Sequence, residues 1–348
     1  MGGSSIHRIQ VKTLKWMIFI LSLIFILLFF SYPHADIEVT EWYNNAGGAL
    51  SITFDDCDEN QYLIAYPIMR KYGIRGSFGV VTSWVGKTVE QPENIFIKRM
   101  SWDEIRDLGD NEISSHSCNH KLLTELNEKD LLFEIQESKK IIEKETGKRC
   151  ITMHYPFSRT DENIKNILKQ SGYLCARTLE SEINRDPDLY EVSSYAVFDD
   201  DHPSLAELNE LLDLCIKERG WIVLMYHHID ENPQKYTTGT YLPLCVTPET
   251  FEEQMKLFSS KDIWIAPVGE VAIYLREKRE CEIEIEKSFT KIKLFIKSDY
   301  NVPLTLKINL SWRRVRVEGS LNDGEYSGSF YLNVLPNREI VIYREFFG

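Results

Sequence analysis

Short apolar runs alternate along most of the chain with amphipathic segments of helical periodicity. Runs such as 49–54 (ALSITF) and 221–226 (WIVLMY) are typical of buried strands, whereas 127–146 has helical spacing and is closed by Gly147. About seven strand–helix units follow one another in this way, which predicts an α/β fold with a parallel sheet or a (β/α) barrel. In a barrel, functional side chains come from the C-terminal ends of the strands.

Toward the C-terminus the helical periodicity gives way to strict alternation of apolar and polar residues. This alternation is clear at 282–285 and 304–308, and the turn signal at 322–324 (NDG) separates two such runs. The pattern predicts a small antiparallel β-domain over 281–348. The barrel is correspondingly assigned to 36–280.

The N-terminal region carries a nearly continuous apolar run, residues 16–30, that follows three basic residues. Residues 1–15 are predicted to stay in the cytoplasm, with 16–32 as a transmembrane anchor or as a signal segment. Both alternatives place the remaining chain outside the cytoplasm, in the periplasm, at the cell surface or in the medium.

Composition restricts the partners. The 348 residues include 53 acidic and 40 basic side chains, for a formal net charge of −13. Without a basic excess, a nucleic-acid backbone is excluded as the main partner. The hydrophobic content of 43% is that of a globular protein, and none of the seven cysteines forms a C-x-x-C pair, which disfavours a zinc ribbon or a thioredoxin-type dithiol.

Unusual polar residues follow two of the predicted strands. Asp55 and Asp56 come directly after ALSITF, where adjacent carboxylates are tolerable if one faces a cation and the other a basic partner. His116 and His120 follow the strand at 112–115, and their spacing lets both imidazoles reach one ion, as on a helical turn. With one carboxylate they form a two-His, one-Asp set suited to a catalytic zinc or another first-row divalent ion.

A third strand, WIVLMY, is followed by His227 and His228. A histidine at this position serves either as a satisfied core residue or as a proton donor. In a barrel, this strand end lies on the same rim as the other two. His227 is favoured as the donor because it directly follows the apolar strand, and His228 is the alternative.

Together these residues resemble the motifs of the polysaccharide deacetylase family, also called carbohydrate esterase family four. The family's T-F-D-D-G motif appears as 53–57, and its H-[ST]-x-x-H motif as 116–120. The motif R-x-P-[FY] appears as 154–157 with His154 in place of arginine, and the apolar strand ending in histidine as 224–227. The resemblance implies a distorted (β/α)7 barrel and a hydrolase that acts on acetylated polysaccharide.

The resemblance also implies a division of labour. Asp56, His116 and His120 would hold one divalent metal ion, with zinc expected and cobalt, nickel or manganese as alternatives. Asp55 would be the general base that takes a proton from the metal-activated water, and His227 the general acid that protonates the leaving group. Three further residues would lie around the oxyanion and the substrate: His154, Tyr155 and Phe157, the last through its backbone N–H.

Several departures from the family pattern bear on activity. Cys57 replaces a glycine: at positive φ it would be strained, and otherwise it could approach the metal as an extra ligand. His154 stands where an arginine would pair with Asp55, so the base would be held less firmly or be more basic. The family's tryptophan-containing fourth motif is not recognisable between Thr178 and Tyr195.

The predicted function is therefore metal-dependent removal of N-acetyl groups from an extracytoplasmic polysaccharide. Two alternatives stay open: an O-acetyl esterase acting on a polysaccharide such as xylan, and a catalytically silent glycan-binding protein that has kept the metal site. The expected partners are the acetylated glycan and, through residues 16–32, the membrane.

Overall fold

The computed structural model describes two compact units within the following residues: 16, 20, 33–91, 95–199, 202–236 and 244–346. One unit comprises residues 41–276, and the other combines residues 1–40 with 277–348. No helix among the described residues has the length and apolar character needed to cross a membrane. The predicted N-terminal segments 1–15 and 16–32 lie outside the described residues, except for Trp16 and Ile20.

The elements of the larger unit follow the predicted alternation of strands and helices. Its strands are β2 (Gly48–Phe54), β3 (Ser77–Val80), β4 (Thr88–Gln91), β5 (Ile95–Lys98), β6 (Glu112–Ser115), β7 (Thr152–His154), β8 (Cys175–Arg177), β9 (Tyr195–Ala196), β10 (Trp221–Tyr226), β11 (His228–Ile229), β12 (Cys245–Val246) and β13 (Ile263–Ile265). Its helices are α1 (Tyr66–Lys71), α2 (Trp102–Asp107), α3 (Glu128–Leu132), α4 (Ser138–Thr146), α5 (Glu162–Gln170), α6 (Leu205–Glu218), α7 (Pro248–Ser259) and α8 (Val268–Glu280), which runs past its end.

An eight-stranded sheet in which every pairing is parallel forms the centre of this unit. Its order is β8-β7-β6-β3-β2-β10-β9, with β13 paired to the start of β2. Every residue of β2 and β10 is buried, which explains why both strands read as continuous apolar runs. The predicted distorted (β/α) barrel is confirmed.

The helices begin where the sequence signals place them, but two of them contain a wide turn. Ser101 and Glu104 form a reciprocal capping box at the start of α2. The helix predicted at 127–146 contains a wide π-type turn, Phe133–Glu137, between α3 and α4. A second wide turn, Gln61–Ala65, lies directly before α1. Both wide turns lie next to the candidate site and supply side chains to it.

The smaller unit contains eight described β-strands, in agreement with the β-structure predicted for the C-terminal region. Its strands are β1 (Ala35–Val39), β14 (Glu282–Lys287), β15 (Lys291–Lys297), β16 (Leu304–Leu310), β17 (Val315–Glu318), β18 (Gly324–Tyr326), β19 (Ser329–Val334) and β20 (Glu339–Arg344). They form a three-stranded sheet, β1-β16-β19, and a five-stranded sheet, β14-β15-β20-β17-β18. The sequence analysis assigned β1 to the barrel segment 36–280, whereas in the structure it pairs antiparallel with β16.

Candidate active site

The C-terminal ends of five barrel strands bring four predicted polar residues and one further residue, Arg177, to one edge of the sheet. Because the strands are parallel, residues that follow them in sequence meet on the same rim. They are Asp55 after β2, His116 after β6, His154 at the end of β7, Arg177 at the end of β8 and His227 after β10.

Three side chains on this rim form a candidate metal centre. Potential ligand atoms of Asp56, His116 and His120 all lie within 4.8 Å of one another. Nε2 of His116 and Nε2 of His120 are each 3.6 Å from Oδ1 of Asp56. Two imidazoles and one carboxylate around a shared point leave coordination positions open, as catalytic sites for zinc-like ions do.

The protonation of these three side chains fits a divalent cation. Nδ1 of His116 donates to the carbonyl oxygen of His154 at 2.8 Å, so its Nε2 carries the lone pair that faces Asp56. Burial lowers the pKa of His116 and lowers that of His120 to about 4, so both are neutral at neutral pH. Burial opposes ionisation of Asp56, yet the neighbouring His120 and Arg99 lower its pKa to about 2. Its buried Oδ1 has no hydrogen-bond partner among the described residues.

The loop between the two metal-site histidines is not the helical turn that the spacing suggested. Ser117 and His120 both have left-handed backbones, with φ of 67° and 54°. The loop is held by the buried carboxylate of Glu134, which accepts from the backbone N–H groups of Cys118 at 2.9 Å and Asn119 at 2.8 Å. Glu134 lies in the wide turn between α3 and α4, so the helix region fixes the loop.

Asp55 is held far more firmly than the sequence predicted. The fully buried Arg177 donates from Nη2 to both carboxylate oxygens, at 2.6 Å to Oδ1 and closer still to Oδ2. Nδ1 of His154 is 2.7 Å from Oδ1. Burial alone would raise the pKa of Asp55, but Arg177, with the nearby His116 and His154, holds it well below its usual range. The expectation that Asp55 would be held less firmly or be more basic is therefore wrong, because a guanidinium comes from the neighbouring strand β8.

Arg177 escaped the sequence analysis although a signal was present. It ends strand β8, and a charged residue at the C-terminal end of a barrel strand is the same signal that identified Asp55. The family motif places its arginine at position 154 instead, where this chain has a histidine.

Cys57 adopts the strained alternative of the two that the sequence left open. Asp56 and Cys57 have φ of 72° and 50°, consecutive left-handed values that side chains other than glycine rarely adopt. The thiol of Cys57 lies fully buried and donates to the carbonyl oxygen of Val81 at 3.9 Å. Nη1 of Arg99 donates to the Asp56 carbonyl at 2.9 Å, and the N–H of Met100 to the Cys57 carbonyl at 2.8 Å. These backbone bonds hold the strained pair in place.

The two histidines after β10 have different surroundings. Nδ1 of His228 is 2.5 Å from Oδ2 of Asp58, and its ring stacks on Tyr236 with a centroid distance of 4.1 Å. His227 is half-buried near the two site carboxylates: loss of solvent lowers its pKa, while Asp55 and Asp56 oppose that shift. Its Nδ1 has no hydrogen-bond partner among the described residues. His228 is thus committed to a local pair, and His227 is the histidine beside the carboxylates.

The remaining predicted site residues divide between core and surface. The side chain of Tyr155 is buried, and its hydroxyl donates to the carbonyl of Tyr190 at 2.9 Å. Phe157 has a left-handed backbone and a ring that is 59% exposed and lies 4.7 Å from the His120 ring. Phe157 also lines an open groove of 970 Å³. His120 lies between this ring and that of Trp84, whose centroid is 5.2 Å away.

Residues 43–176 match the family model described as polysaccharide deacetylase. The resemblance predicted from the motifs is therefore confirmed over these residues.

Individual relatives match at lower identity. The poly-beta-1,6-N-acetyl-D-glucosamine N-deacetylase of Staphylococcus aureus is 27% identical over 140 residues, which cover 38% of this chain and 48% of the relative. Gellan lyase from Bacillus sp is 22% identical over 309 residues, which cover 80% of this chain and 12% of the relative. The solved structure of IcaB from Ammonifex degensii aligns with 45% of this chain and 71% of its own at 23% identity and a TM-score of 0.41. The matches thus span less than half of either curated relative.

Proposed function

We propose that the protein is a metal-dependent deacetylase that removes N-acetyl groups from an extracytoplasmic polysaccharide. The observation that carries this proposal is an ionised, fully buried carboxylate, Asp55, held by Arg177 beside the candidate metal centre. A site that only bound glycan would have no need of a second, separately oriented acid next to the metal ligands. The family match over residues 43–176 supports the same reaction class.

The proposal gives each side chain a task. A divalent ion held by Asp56, His116 and His120 would act as a Lewis acid toward the acetyl carbonyl and lower the pKa of a bound water. Asp55 takes the proton of the water that attacks the carbonyl carbon. The carbon–nitrogen bond breaks as His227 donates a proton to the leaving nitrogen, which gives acetate and a free amine.

The surrounding residues restrict where these groups can move. Arg177 and His154 contact the base, so the carboxylate of Asp55 keeps one orientation. The backbone N–H of Phe157 is assigned to the developing oxyanion, and its exposed ring to the sugar face beside His120. The buried Tyr155 contributes through packing rather than through substrate contact.

The test combines bound metal with acetate release. His120→Ala should lose stoichiometric metal and lower acetate release from acetylated glucosamine oligomers by more than about a hundredfold, since a lost ligand costs more than a lost supporting contact. The exposed His202, which lies next to Asp199, provides the control variant His202→Ala. Unchanged acetate release in His120→Ala would contradict the proposal.

The substrate comparison separates the alternatives. Faster release from acetylated xylan than from the glucosamine oligomers would assign the protein to O-deacetylation, because an alcohol leaving group needs less protonation than an amine. Stoichiometric metal with no acetate released from either substrate would assign it to glycan binding.

A further inference from the structure

The proposed base and acid lie at the ends of adjacent, paired strands. β2 ends at Phe54 and β10 at Tyr226, and these two residues form the last pair of the parallel register. The N–H of Asp55 still donates to the Tyr226 carbonyl at 3.0 Å. The carbonyl groups of Asp55 and His227 lie beyond this point, where strand pairing no longer fixes one backbone relative to the other.

One buried side-chain amide joins these two carbonyl groups. Nε2 of Gln61 is 2.5 Å from the carbonyl oxygen of Asp55 and 2.8 Å from that of His227. An amide nitrogen carries two hydrogens, one for each carbonyl. The reverse orientation would place the amide oxygen against two carbonyl oxygens, so the orientation of the side chain is determined by its partners.

The position of Gln61 follows from the chain reversal after the aspartate pair. Its N–H donates to the carbonyl of Asp58 at 3.0 Å, and it is the first residue of the wide turn Gln61–Ala65. The side chain is fully buried, yet its Oε1 has no hydrogen-bond partner among the described residues. An unpaired buried amide oxygen costs stability. Such a cost is typical of positions that function, rather than stability, determines.

We propose that Gln61 is a positioning residue that sets the separation and orientation of Asp55 and His227. It does so by tying the two backbones together just past the end of the strand pairing. The inference rests on the proposed function, because Gln61 itself carries no proton and binds no metal. This one amide keeps the relative position of Asp55 and His227 fixed. Asp55 takes up a proton and His227 releases one without a change in their separation.

The test uses variants that differ in hydrogen-bond donors. Gln61→Met keeps the length of the side chain and removes both donors, so kcat should fall by about ten- to a hundredfold, the loss expected from misplacing a reacting group. Bound metal and KM should stay within about twofold, because the amide of Gln61 bonds to two backbone carbonyls rather than to a side chain of the candidate metal centre, and Gln61 does not line the open groove. Gln61→Glu, whose protonated carboxyl can donate to only one carbonyl, should give an intermediate kcat.

A second buried glutamine provides the matched control. Gln254 is also fully buried in the same unit, and its Oε1 accepts from the hydroxyl of Tyr226 at 2.8 Å. Gln254→Met removes a buried amide without freeing the Asp55 or His227 backbone. Its kcat should stay within about threefold of the wild-type value, the change expected of a substitution outside the reacting groups.

A crystal structure of each Gln61 variant decides the question without substrate. The distance between the Asp55 and His227 carbonyl oxygens should increase in Gln61→Met, and increase less in Gln61→Glu. An unchanged distance, or a kcat no lower than that of Gln254→Met, would overturn the role of Gln61. A wild-type protein that releases no acetate would contradict the proposed function instead, and the carbonyl distance would still decide this inference.

Discussion

Two buried polar clusters lie at opposite ends of the same parallel sheet. At the N-terminal ends of β3, β6 and β7, the carboxylate of Glu112 accepts hydrogen bonds from the hydroxyls of Ser77 and Thr152 and from the N–H of Gly269. Ser77 in turn accepts from the N–H of Val268, at the start of α8. None of these side-chain atoms is left without a partner.

The cluster at the C-terminal strand ends is organised differently. Oδ1 of Asp56, Nε2 of His154 and Nδ1 of His227 are all buried and have no hydrogen-bond partner among the described residues. Asp56 also belongs to a pair of left-handed residues. A buried polar atom without a partner costs stability unless something outside the chain satisfies it.

The two clusters therefore differ in whether their buried polar atoms have hydrogen-bond partners. The polar side-chain atoms of the Glu112 cluster are all hydrogen-bonded within the protein, so they stabilise the fold. The Asp55–Asp56 cluster keeps spare donor and acceptor positions, which fits the metal ion and the substrate proposed for it. Substitutions at the two ends should therefore act on different measurable quantities.

Removing the metal should produce the largest effect. Chelation should lower acetate release by at least about a thousandfold, because the residues alone supply neither a Lewis acid nor an acidified water. It should also lower the unfolding temperature, since a ligand that binds only the folded state stabilises it. Elemental analysis and calorimetry check both results. As a control, Glu112→Gln should respond to chelation as the wild type does. Full activity in the metal-free protein would contradict the distinction between the two clusters.

Breaking the Arg177–Asp55 pair should have the next largest effect. Arg177→Met leaves the Asp55 charge buried without its main partner, so the free energy of unfolding should fall by about 3–5 kcal/mol. The double variant Asp55→Asn, Arg177→Met should recover most of that stability and none of the acetate release. Denaturant titration and acetate assays of the three proteins measure this. Recovery of activity in the double variant would contradict the assigned role of Asp55.

Glu112→Gln should have a smaller effect, and on stability alone. Placing an amide N–H₂ against the surrounding donors should lower the free energy of unfolding by about 1–3 kcal/mol. Metal content and kcat/KM should match those of the wild type, because Glu112 begins the strand whose far end carries His116. A large loss of kcat/KM at full metal content would show that the two ends are coupled.

The same carboxyl predicts a pH dependence of stability. Burial raises the pKa of Glu112 above its ordinary value of 4.5. The folded protein therefore binds this proton more tightly than the unfolded chain does, and the stabilisation is lost as pH rises through the folded pKa. Denaturation between about pH 4 and about pH 7 should show wild-type stability declining toward that of Glu112→Gln. A gap that widens with pH would contradict this sign.

Cys57 should show the smallest effect, although it directly follows a metal ligand. Its contacts are those of the core, and burial raises the pKa of its thiol to about 12. Iodoacetamide at about pH 8 should leave Cys57 unmodified and activity unchanged, since the thiolate is the reactive form. Mass spectrometry should find the label first on the partly exposed Cys281. Label on Cys57 with parallel loss of activity would place it among the functional residues.

The parts of the molecule that could be predicted are those whose signal is local in sequence. The continuous apolar runs of β2 and β10 and the short motifs at 53–57 and 116–120 each fit within seven residues or fewer. These local signals predict the barrel and place Asp56, His116 and His120 in one hypothesis.

The parts that escaped prediction depend on distant contacts. Arg177 is 122 residues from Asp55, and Gln61 is 166 residues from His227. Nothing near either residue in sequence indicates these partners, because the parallel sheet creates the contact. The substituted motif residue His154 made the prediction worse, since it suggested that the base lacked an arginine when β8 supplied one.

The pairing of β1 with β16 has a consequence for the order of events during synthesis. The two strands pair Ala35 with Leu310, so the smaller unit needs both flanks of the barrel before its three-stranded sheet can close. Residues 41–276 can emerge from the ribosome and fold before β16 has been synthesised, so β1 is still unpaired at that stage. A fragment cut at 36–280 would keep this strand and discard its partner, exposing a bare edge that invites association between copies.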